Sequence, residues 1–271
     1  MKRFLLCFAL LAACGGRTAY QRYPGAPATL DRASSDAKAL EIADKVFAAA
    51  GGPGNWDNAK QLRWRQTITA DGKQTLDVEE IWDRWNARHL GRMFRTDGTH
   101  MVVGYELYGS FSMGYVQQPG EKEVKRNLDD AGRAAALKVA KEVFNEHTSV
   151  LTMQFLLLEP GAKLAYVGTA KDDAGNENYD ELKVTFGDPL RADLEFHPVV
   201  DRATNMIVRL EILKTGTQRK VGYTLKDWVT IGGLKFATNR SNMGYSGETI
   251  VIKDIKVGGV DDNEFIAPIT H

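Results

Sequence analysis

The chain has 271 residues and equal numbers of acidic and basic side chains, 35 of each, so its formal net charge is zero. A chain without a basic surplus is poorly suited to neutralise a run of phosphates, which argues against a nucleic-acid-binding protein. The hydrophobic content of 43% is that of an ordinary globular domain, and no segment beyond the first 13 residues is apolar enough to predict a transmembrane helix.

The N-terminus has the layout of a secretory signal peptide. Lys2 and Arg3 precede an apolar run over positions 4–13, which is shorter than the roughly 20 residues that a membrane-spanning helix needs. The sequence LAAC at positions 11–14 resembles the bacterial lipobox. That resemblance implies a lipoprotein signal peptide over residues 1–13 and lipid attachment at Cys14, the new N-terminus. The alternative is an ordinary signal peptide with an incidental cysteine.

Only two cysteines are present, Cys7 and Cys14. Cys7 would leave with the signal peptide, and the lipid would occupy the sulfur of Cys14. The mature chain would then have no disulfide and no free thiol, which excludes thiol catalysis and cysteine-based zinc sites. Gly15 follows the lipidated position, and by the same resemblance a residue other than Asp there implies an outer-membrane anchor facing the periplasm. We therefore expect a lipid-anchored protein of the bacterial cell envelope.

The segment after Cys14 is rich in glycine and proline, and it predicts a flexible tether over residues 14–32. The remaining residues, 33–271, fit one domain. Its first element is a predicted amphipathic helix with Ser34 and Ser35 as candidate caps, ending at the GGP sequence of positions 51–53. Its apolar face comprises Ala39, Leu40, Ala43, Val46, Phe47 and Ala50. A helix that docks by one such face is either a permanent or a movable lid.

From Leu62 the apolar period changes to two, which predicts β-strands joined by tight turns at positions 71–72 and 97–98. The return strand of the first hairpin is predicted over 76–90, and the next strand over 101–108. A second helix is predicted from Asp130 to about His147, with Asp129 as its cap, and the Leu- and Met-rich run that follows extends this helical insertion to 129–158. Seven further strands predict one large antiparallel sheet: 165–169, 179–186, 192–196, 206–214, 220–229, 234–243 and 249–257.

Few polar residues stand in patterns that suggest chemistry. Asp193, Glu195 and His197 would share one face of a strand and could hold a metal, but the alternation favours a solvated face. The segment from Asp172 to Asn178 resembles a calcium loop only faintly, because Ala174 occupies a ligand position, and a hairpin turn is the simpler interpretation. We predict no catalytic residue, no metal site and no cofactor.

Aromatic residues are concentrated in the first half of the sheet. Trp82 and Trp85 are an odd number of residues apart, so they would point to opposite faces of one strand, which favours a strongly curved sheet that encloses a cavity. The candidate lining residues for a hydrophobic ligand are Trp64, Trp82, Trp85 and Phe94. The alternative is a solid core that these side chains fill.

Several longer segments resemble the LolA/LolB-like superfamily of envelope proteins: IADKVFAAAGGPGNW (42–56), YDELKVTF (179–186), VVDRATNMIVRLEI (199–212), YTLKDWVTIGGLKFATN (223–239) and IKDIKVGGVDDNEF (252–265). The resemblance implies a mainly β (α+β) fold, an unclosed β-barrel of about eleven strands with helices on its concave side. It also implies binding of acyl chains or other apolar ligands, and some members of the superfamily sense stress by binding a partner protein.

The leading expectation is a membrane-anchored, periplasm-facing lipoprotein that binds a lipid or another hydrophobic ligand and is not an enzyme, with a role in outer-membrane lipid or lipoprotein trafficking. Its partners would be the membrane, through acylated Cys14, the hydrophobic ligand and an envelope protein, but no nucleic acid. The first alternative is a protein-interaction or envelope-stress-sensing module with a filled interior. The second alternative is a hydrolase.

Overall fold

The computed structural model describes residues 22–117, 125–217 and 220–266, so the predicted signal peptide and Cys14 lie outside the described residues. The helices are α1 (Ala37–Ala49), α2 (Gly52–Asn58) and α3 (Asp130–Leu156), and single 3-10 turns cover Arg32–Ser34 and Asp262–Phe265. The strands are β1 (Gln61–Ala70), β2 (Lys73–Asp83), β3 (Arg88–Phe94), β4 (His100–Glu106), β5 (Ser112–Gln117), β6 (Lys125–Asn127), β7 (Ala162–Ala170), β8 (Tyr179–Phe186), β9 (Leu194–Asp201), β10 (Ile207–Lys214), β11 (Lys220–Ile231), β12 (Leu234–Asn242) and β13 (Glu248–Gly258).

The thirteen described strands form one antiparallel sheet, which confirms the predicted fold class with two strands more than the expected eleven. Their order is β6-β5-β4-β3-β2-β1-β13-β12-β11-β10-β9-β8-β7. Strands β1 to β6 and β7 to β13 each form a meander, and the two meanders meet where β1 pairs with β13. The chain therefore leaves the sheet at one edge, after β6, and returns at the opposite edge as β7. Helix α3 makes that crossing.

The sheet is strongly curved, as the helix contacts show. Helix α3 packs on β4 and β5 near one edge and on β12, while α1 packs on both α3 and the opposite edge strand β7. In a flat sheet β4 and β7 would lie about 48 Å apart, since ten strand spacings of about 4.8 Å separate them. Two packed helices span only about 20 Å. The sheet must wrap around the helices, and it forms an open trough with the helices on its concave side.

Alternation of side chains gives the sheet a concave and a convex face. On β1, Leu62, Trp64 and Gln66 are buried and face the trough, while the intervening residues are half exposed. The convex face of β2 to β5 has its own small apolar cluster around Ile81 and Leu90, which the last 3-10 turn covers with Phe265. Both faces of this half of the sheet are therefore covered, at least around these residues.

Helix α1 begins and ends through identifiable local chemistry. Asp36 precedes it in extended conformation, and its side chain accepts a hydrogen bond from the backbone N–H of Tyr166 on edge strand β7. At the other end Gly51 has φ of 127°, and a Cβ atom there would lie 2.2 Å from the carbonyl oxygen of Gly233. Only glycine allows this close approach between the helix end and the β11–β12 turn. The short helix α2 that follows was not predicted.

The predicted strand over 76–90 is wrong in one respect, because a turn divides it into β2 and β3. The side chain of Asp83 accepts hydrogen bonds from the backbone and side-chain nitrogens of Asn86, and Ala87 adopts a positive φ of 52°. Trp85 consequently lies in this turn and not on a strand. Its predicted position opposite Trp82 across the sheet is therefore corrected.

The described end of the predicted tether packs on the domain. The Tyr23 ring makes an edge contact with Tyr108, and its hydroxyl occupies the position that a side chain at Gly161 would take. Gly187 borders the same slot. Two glycines thus leave room for one aromatic ring, and this local packing could not be predicted from the composition of the tether.

Candidate functional site

The concave side of the sheet holds α3, and the two halves of this helix differ sharply. Every residue from His147 to Leu156 is buried, whereas only Ala136 and Phe144 are buried over positions 130–146. The second half is enclosed on all sides, and the first half lies at the mouth of the trough. Among the described residues, no helix has both the length and the apolar character needed to cross a bilayer.

An apolar cleft runs along one side of the first half of α3. It has a volume of about 40 Å³ and lies between the helix and strands β2 to β4. Its helix wall is made of small or branched residues, Ala136, Val139, Ala140 and Val143, and its sheet wall includes Met93 and Met101. Methionine side chains adapt to irregular apolar shapes, so this wall can change its form without losing contact.

A wider groove of about 320 Å³ runs along the other side of the same half of α3. Apolar residues form its base, among them Leu190, Leu194 and Ile212, while Lys141 and Glu142 stand at its helix side. Its volume reaches the lower end of the range, about 300 to 1,000 Å³, that is typical of ligand sites. The first half of α3 thus has open space on both sides.

A buried carboxylate joins α3 to the sheet. Glu80 on β2 is fully buried, and its two oxygens are shared between Nδ1 of His147 on α3 at 2.7 Å and Nε2 of His89 on β3 at 3.2 Å. Burial alone would raise the pKa of Glu80, but the His147 charge and the hydrogen bonds from both histidines outweigh burial and lower it to about 2. The Glu80 carboxylate is therefore ionised at neutral pH.

Further hydrogen bonds hold the first half of α3 at the mouth. The Tyr105 hydroxyl donates to the carbonyl oxygen of Ala140, and the Tyr223 hydroxyl donates to the Glu146 carboxylate. Burial raises the pKa of both tyrosines above the ordinary value, so both hydroxyls keep their protons. This half of the helix is attached by these polar contacts and by a few apolar ones, chiefly the buried Phe144 against Trp82, and it has less apolar packing than the second half.

The second half of α3 is anchored differently, through aromatic packing. The Phe155 ring stacks on Trp56 of α2 with centroids 4.3 Å apart, and the Arg84 guanidinium covers the Trp56 ring at 3.5 Å. Arg84 also donates to the carbonyl oxygens of Trp56 and Ala59. Stacked aromatic pairs contribute more than their buried area alone. This end of the helix is the fixed end.

Two of the four predicted lining residues face the trough. Trp64 is fully buried on β1, and its indole Nε1 has no hydrogen-bond partner among the described residues. Trp82 packs on Trp56 and Phe144, and it also lines a cavity of about 60 Å³ beneath Tyr23. Their contact with a ligand stays a prediction.

The other two predicted lining residues lie elsewhere. Phe94 faces the convex side, where the Arg65 guanidinium stands 4.1 Å from its ring centroid. Arg65 belongs to the convex face because it alternates with the buried Trp64 along β1. Trp85 lies in the β2–β3 turn beneath the Lys60 ammonium. The alternation of side chains along β1 and β2 correctly predicted that Trp64 and Trp82 point to the concave face. Trp85 differs because it lies in a turn, and Phe94 differs because it occupies a convex position on β3.

The polar residues that were considered as metal or calcium ligands in the sequence form local hydrogen-bond networks. His197 is hydrogen-bonded to Glu181 at 2.9 Å and to Glu195 at 2.8 Å on the convex face of β8 and β9. The side chain of Asp172 accepts hydrogen bonds from the backbone of Ala174 and Asn176, which closes a hairpin turn. Over the described ranges, no group of three or more His, Cys, Asp or Glu side chains is arranged to hold a metal ion.

The residues at the centre of the trough were missed in the sequence. Glu80 stands among alternating residues of β2, and Arg240 occupies an inward position on β12, between Leu225 and Ile250 of the neighbouring strands. Gln66 faces the same space from β1. The signal in the sequence would have been a charged residue at a position of the strand that faces the core. It could not be used before it was known which residues of each strand face inward.

No protein-family model matches the chain, and no curated protein matches it in sequence. Among solved structures, a DUF1329 family protein from Desulfovibrio piger is 14% identical with a TM-score of 0.51, over 84% of this chain and 97% of the other. A LolA superfamily protein from Nitrosomonas europaea is 12% identical with a TM-score of 0.48, over 84% and 97%. An outer membrane lipoprotein-sorting protein domain from Vibrio parahaemolyticus is 12% identical with a TM-score of 0.46, over 84% and 96%. The first likeness shows a shared fold.

Proposed function

We propose that this protein binds a lipid or another apolar ligand in its trough, at the place where the first half of α3 lies. The observation that carries the proposal is the asymmetry of α3. Its second half is enclosed and fixed by aromatic packing, while its first half lies between two clefts and is held by polar contacts and a few apolar ones. A helix with one fixed and one loosely held half can swing out at the loose end.

The volumes argue for helix displacement. The apolar cleft of about 40 Å³ is far smaller than the 300 to 1,000 Å³ typical of ligand sites. An acyl chain that binds on this side of α3 would therefore take the place of α3 residues, while the wider groove of about 320 Å³ on the other side would leave room for the displaced part of the ligand or helix. The ligand would bury its carbons against the same concave wall, and each buried methylene contributes about 0.8 kcal/mol. Ligand and helix thus compete for one apolar surface.

We further propose that Cys14 carries an acyl anchor and that the domain faces the periplasm from the outer membrane. The lipobox at positions 11–14 and Gly15 support this part of the proposal. Membrane attachment would hold a lipid-binding trough close to its source of ligand, in keeping with a role in lipid or lipoprotein trafficking. The function is binding, and we assign no catalytic step and no cofactor.

Native mass spectrometry of the protein tests this function. The chain with Cys14→Ser, exported and purified from the periplasm without detergent, should retain a co-purified lipid that denaturing conditions release. Solvent extraction and mass analysis would identify it. A protein that emerges ligand-free, and that takes up no added dodecanol at saturation, would contradict the proposal.

A second candidate is a protein-interaction or stress-sensing module. It is favoured by one observation, that α3 fills much of the trough from His147 onward. In this case a partner protein, and not a lipid, would be the physiological occupant of the groove beside α3. Capture of one defined envelope protein by the ligand-free domain, with no effect of dodecanol on that capture, would support this candidate. No contact among the described residues favours the hydrolase alternative.

A further inference from the structure

Arg240 is a buried charge that forms no ion pair with any of the described residues. Its side chain extends from β12 into the trough and is 1% exposed. Its guanidinium Nε and Nη2 have no hydrogen-bond partner among the described residues. Removing a guanidinium from water is costly unless an anion or several acceptors replace the lost hydration. Burial accordingly lowers the pKa of Arg240 to about 10. Tyr223 and Glu80 raise this pKa, but they offset the effect of burial only in part.

Glu80 is the carboxylate of the described part of the chain whose charge acts on Arg240, and it is already engaged. Both oxygens of Glu80 are bonded to histidines, Oε1 to His147 and Oε2 to His89. Tyr223, the other group near the guanidinium, is a neutral phenol because burial raises its pKa. The positive charge therefore has an attractive environment but no direct hydrogen-bond acceptor at Nε or Nη2.

Gln66, on a neighbouring part of the concave face, is also a buried polar side chain without hydrogen-bond partners among the described residues. It is fully buried on β1, and neither its amide nitrogen nor its amide oxygen has a partner among the described residues. In the register, Gln66 pairs with Ile252 and Arg240 pairs with Ile250, so both flank β13 within two positions of each other. The long Arg240 side chain can reach toward Gln66 across the intervening strand.

We propose that Arg240 and Gln66 bind the anionic head group of an acyl ligand, a carboxylate or a phosphate, beneath α3. The proposal rests on the proposed function, since α3 must swing out before a ligand reaches this depth. The guanidinium presents a planar set of donors that matches the oxygens of these groups, and the Gln66 amide adds further donors. A neutral head group would leave the buried positive charge without an acceptor of opposite charge.

The route to this site follows from the apolar cleft. Glu80 and His89 line the cleft at its inner side, between the first half of α3 and strands β2 to β4. Thr148 on α3 lies one residue beyond His147, and its hydroxyl also has no hydrogen-bond partner within the described ranges. An acyl chain that displaces the first half of α3 would thus place its head group toward Arg240 and Gln66 and its carbons against the apolar wall.

Equilibrium dialysis with three probes of equal chain length tests the inference. Laurate and dodecyl phosphate are applied below their critical micelle concentrations, and dodecanol below its solubility limit in water, to the full chain carrying Cys14→Ser. Both anions should bind at least about tenfold tighter than dodecanol, because a hydrogen bond to a buried charge is stronger than one between neutral groups. Equal affinities for all three would show that Arg240 is only hydrated, and would overturn the inference while leaving the proposed function intact. If none of the three binds, both proposals fail.

Variants of Arg240 test whether this residue causes the preference for anionic probes over dodecanol. Arg240→Met should reduce laurate to the affinity of dodecanol and leave dodecanol within about twofold of the parent, since a methionine keeps the apolar volume. The matched control is Arg209→Met, because Arg209 lies on the convex face, where it donates to the Lys171 carbonyl oxygen and stands over the Tyr179 ring. A preference for the anions that persists in Arg240→Met would also overturn the inference. If Arg240→Met does not fold, two measurements still test the inference. They are the effect of Gln66→Leu on the preference for laurate over dodecanol, and that preference itself in the parent protein.

Discussion

His147 on α3 and Glu80 on β2 are joined by a hydrogen bond of 2.7 Å between Nδ1 and Oε1, and both side chains are buried. The bond lies where the exposed first half of the helix meets its enclosed second half. It is therefore the innermost polar contact that the helix must break if the first half swings outward. We call this pair, with His89 as the second partner of Glu80, the α3 latch.

Removing the latch should loosen the first half of α3. In His147→Leu, we expect faster amide hydrogen exchange over residues 130–146, with little change in the enclosed end around Phe155. Loss of a hydrogen bond to a buried carboxylate should also cost about 1 to 3 kcal/mol of stability. The measurement is exchange followed by peptide mass analysis. The control is His197→Leu, since His197 also bonds two glutamates but on the convex face. Equal exchange in both variants would exclude a latch.

The latch predicts a defined acid dependence of stability. The pKa of Glu80 is lowered from 4.5 to about 2 in the folded state, so the unfolded state binds its proton more readily. The stabilisation from Glu80 is complete above about pH 4.5 and is lost as the pH falls toward 2, on the order of 3 kcal/mol in total. Urea unfolding across this range should show a shallower decline in Glu80→Gln than in the parent. Identical slopes would contradict the assignment.

Filling the apolar cleft should prevent ligand binding without unfolding the protein. In Ala140→Phe the ring would fill the cleft of about 40 Å³, where Ala140 is half-buried, and would hold the first half of α3 more firmly on the sheet, so dodecanol affinity should fall by about tenfold or more. Equilibrium dialysis measures the affinity, and a thermal melt monitors the fold. Ala135→Phe is the matched control, because Ala135 is exposed on the same helix. Unchanged affinity in Ala140→Phe would place the ligand elsewhere.

The anchor has its own test, independent of the trough. Cells grown with radiolabelled palmitate should label the parent protein, and Cys14→Ser should lose the label. Three acyl chains, or two, hold a protein on a bilayer far more firmly than one does. Cys7→Ser serves as the control, because Cys7 lies within the predicted signal peptide. Unlabelled parent protein would show that the LAAC motif is incidental.

The regular elements were accessible from the sequence because their signals are local. The alternation in YDELKVTF places β8 at Tyr179–Phe186, the predicted bounds, and Asp129 caps α3 through Gly132 as predicted. The division of β2 from β3 was missed because it depends on how Asp83 and Asn86 bond each other. Such side-chain pairing is not encoded in hydrophobic periodicity.

The candidate site was much less accessible. Glu80 and His147 are 67 residues apart in sequence, and only the crossing of α3 from one sheet edge to the other brings them together. Arg240 gives no signal until the phase of β12 is known. Trp64 and Trp82 could be proposed because large aromatic residues favour buried positions, whatever the topology. A site made of polar residues from distant strands requires the fold first.

The central claim is that the first half of α3 leaves the trough when a ligand enters. It is tested most directly by a distance measurement with double electron–electron resonance. The spin labels are attached at Lys138→Cys on α3 and Lys253→Cys on β13, which are both exposed positions, in the Cys14→Ser background. Saturation with dodecanol should convert one short distance into a longer, broader population. Bound dodecanol with an unchanged distance distribution would contradict the claim.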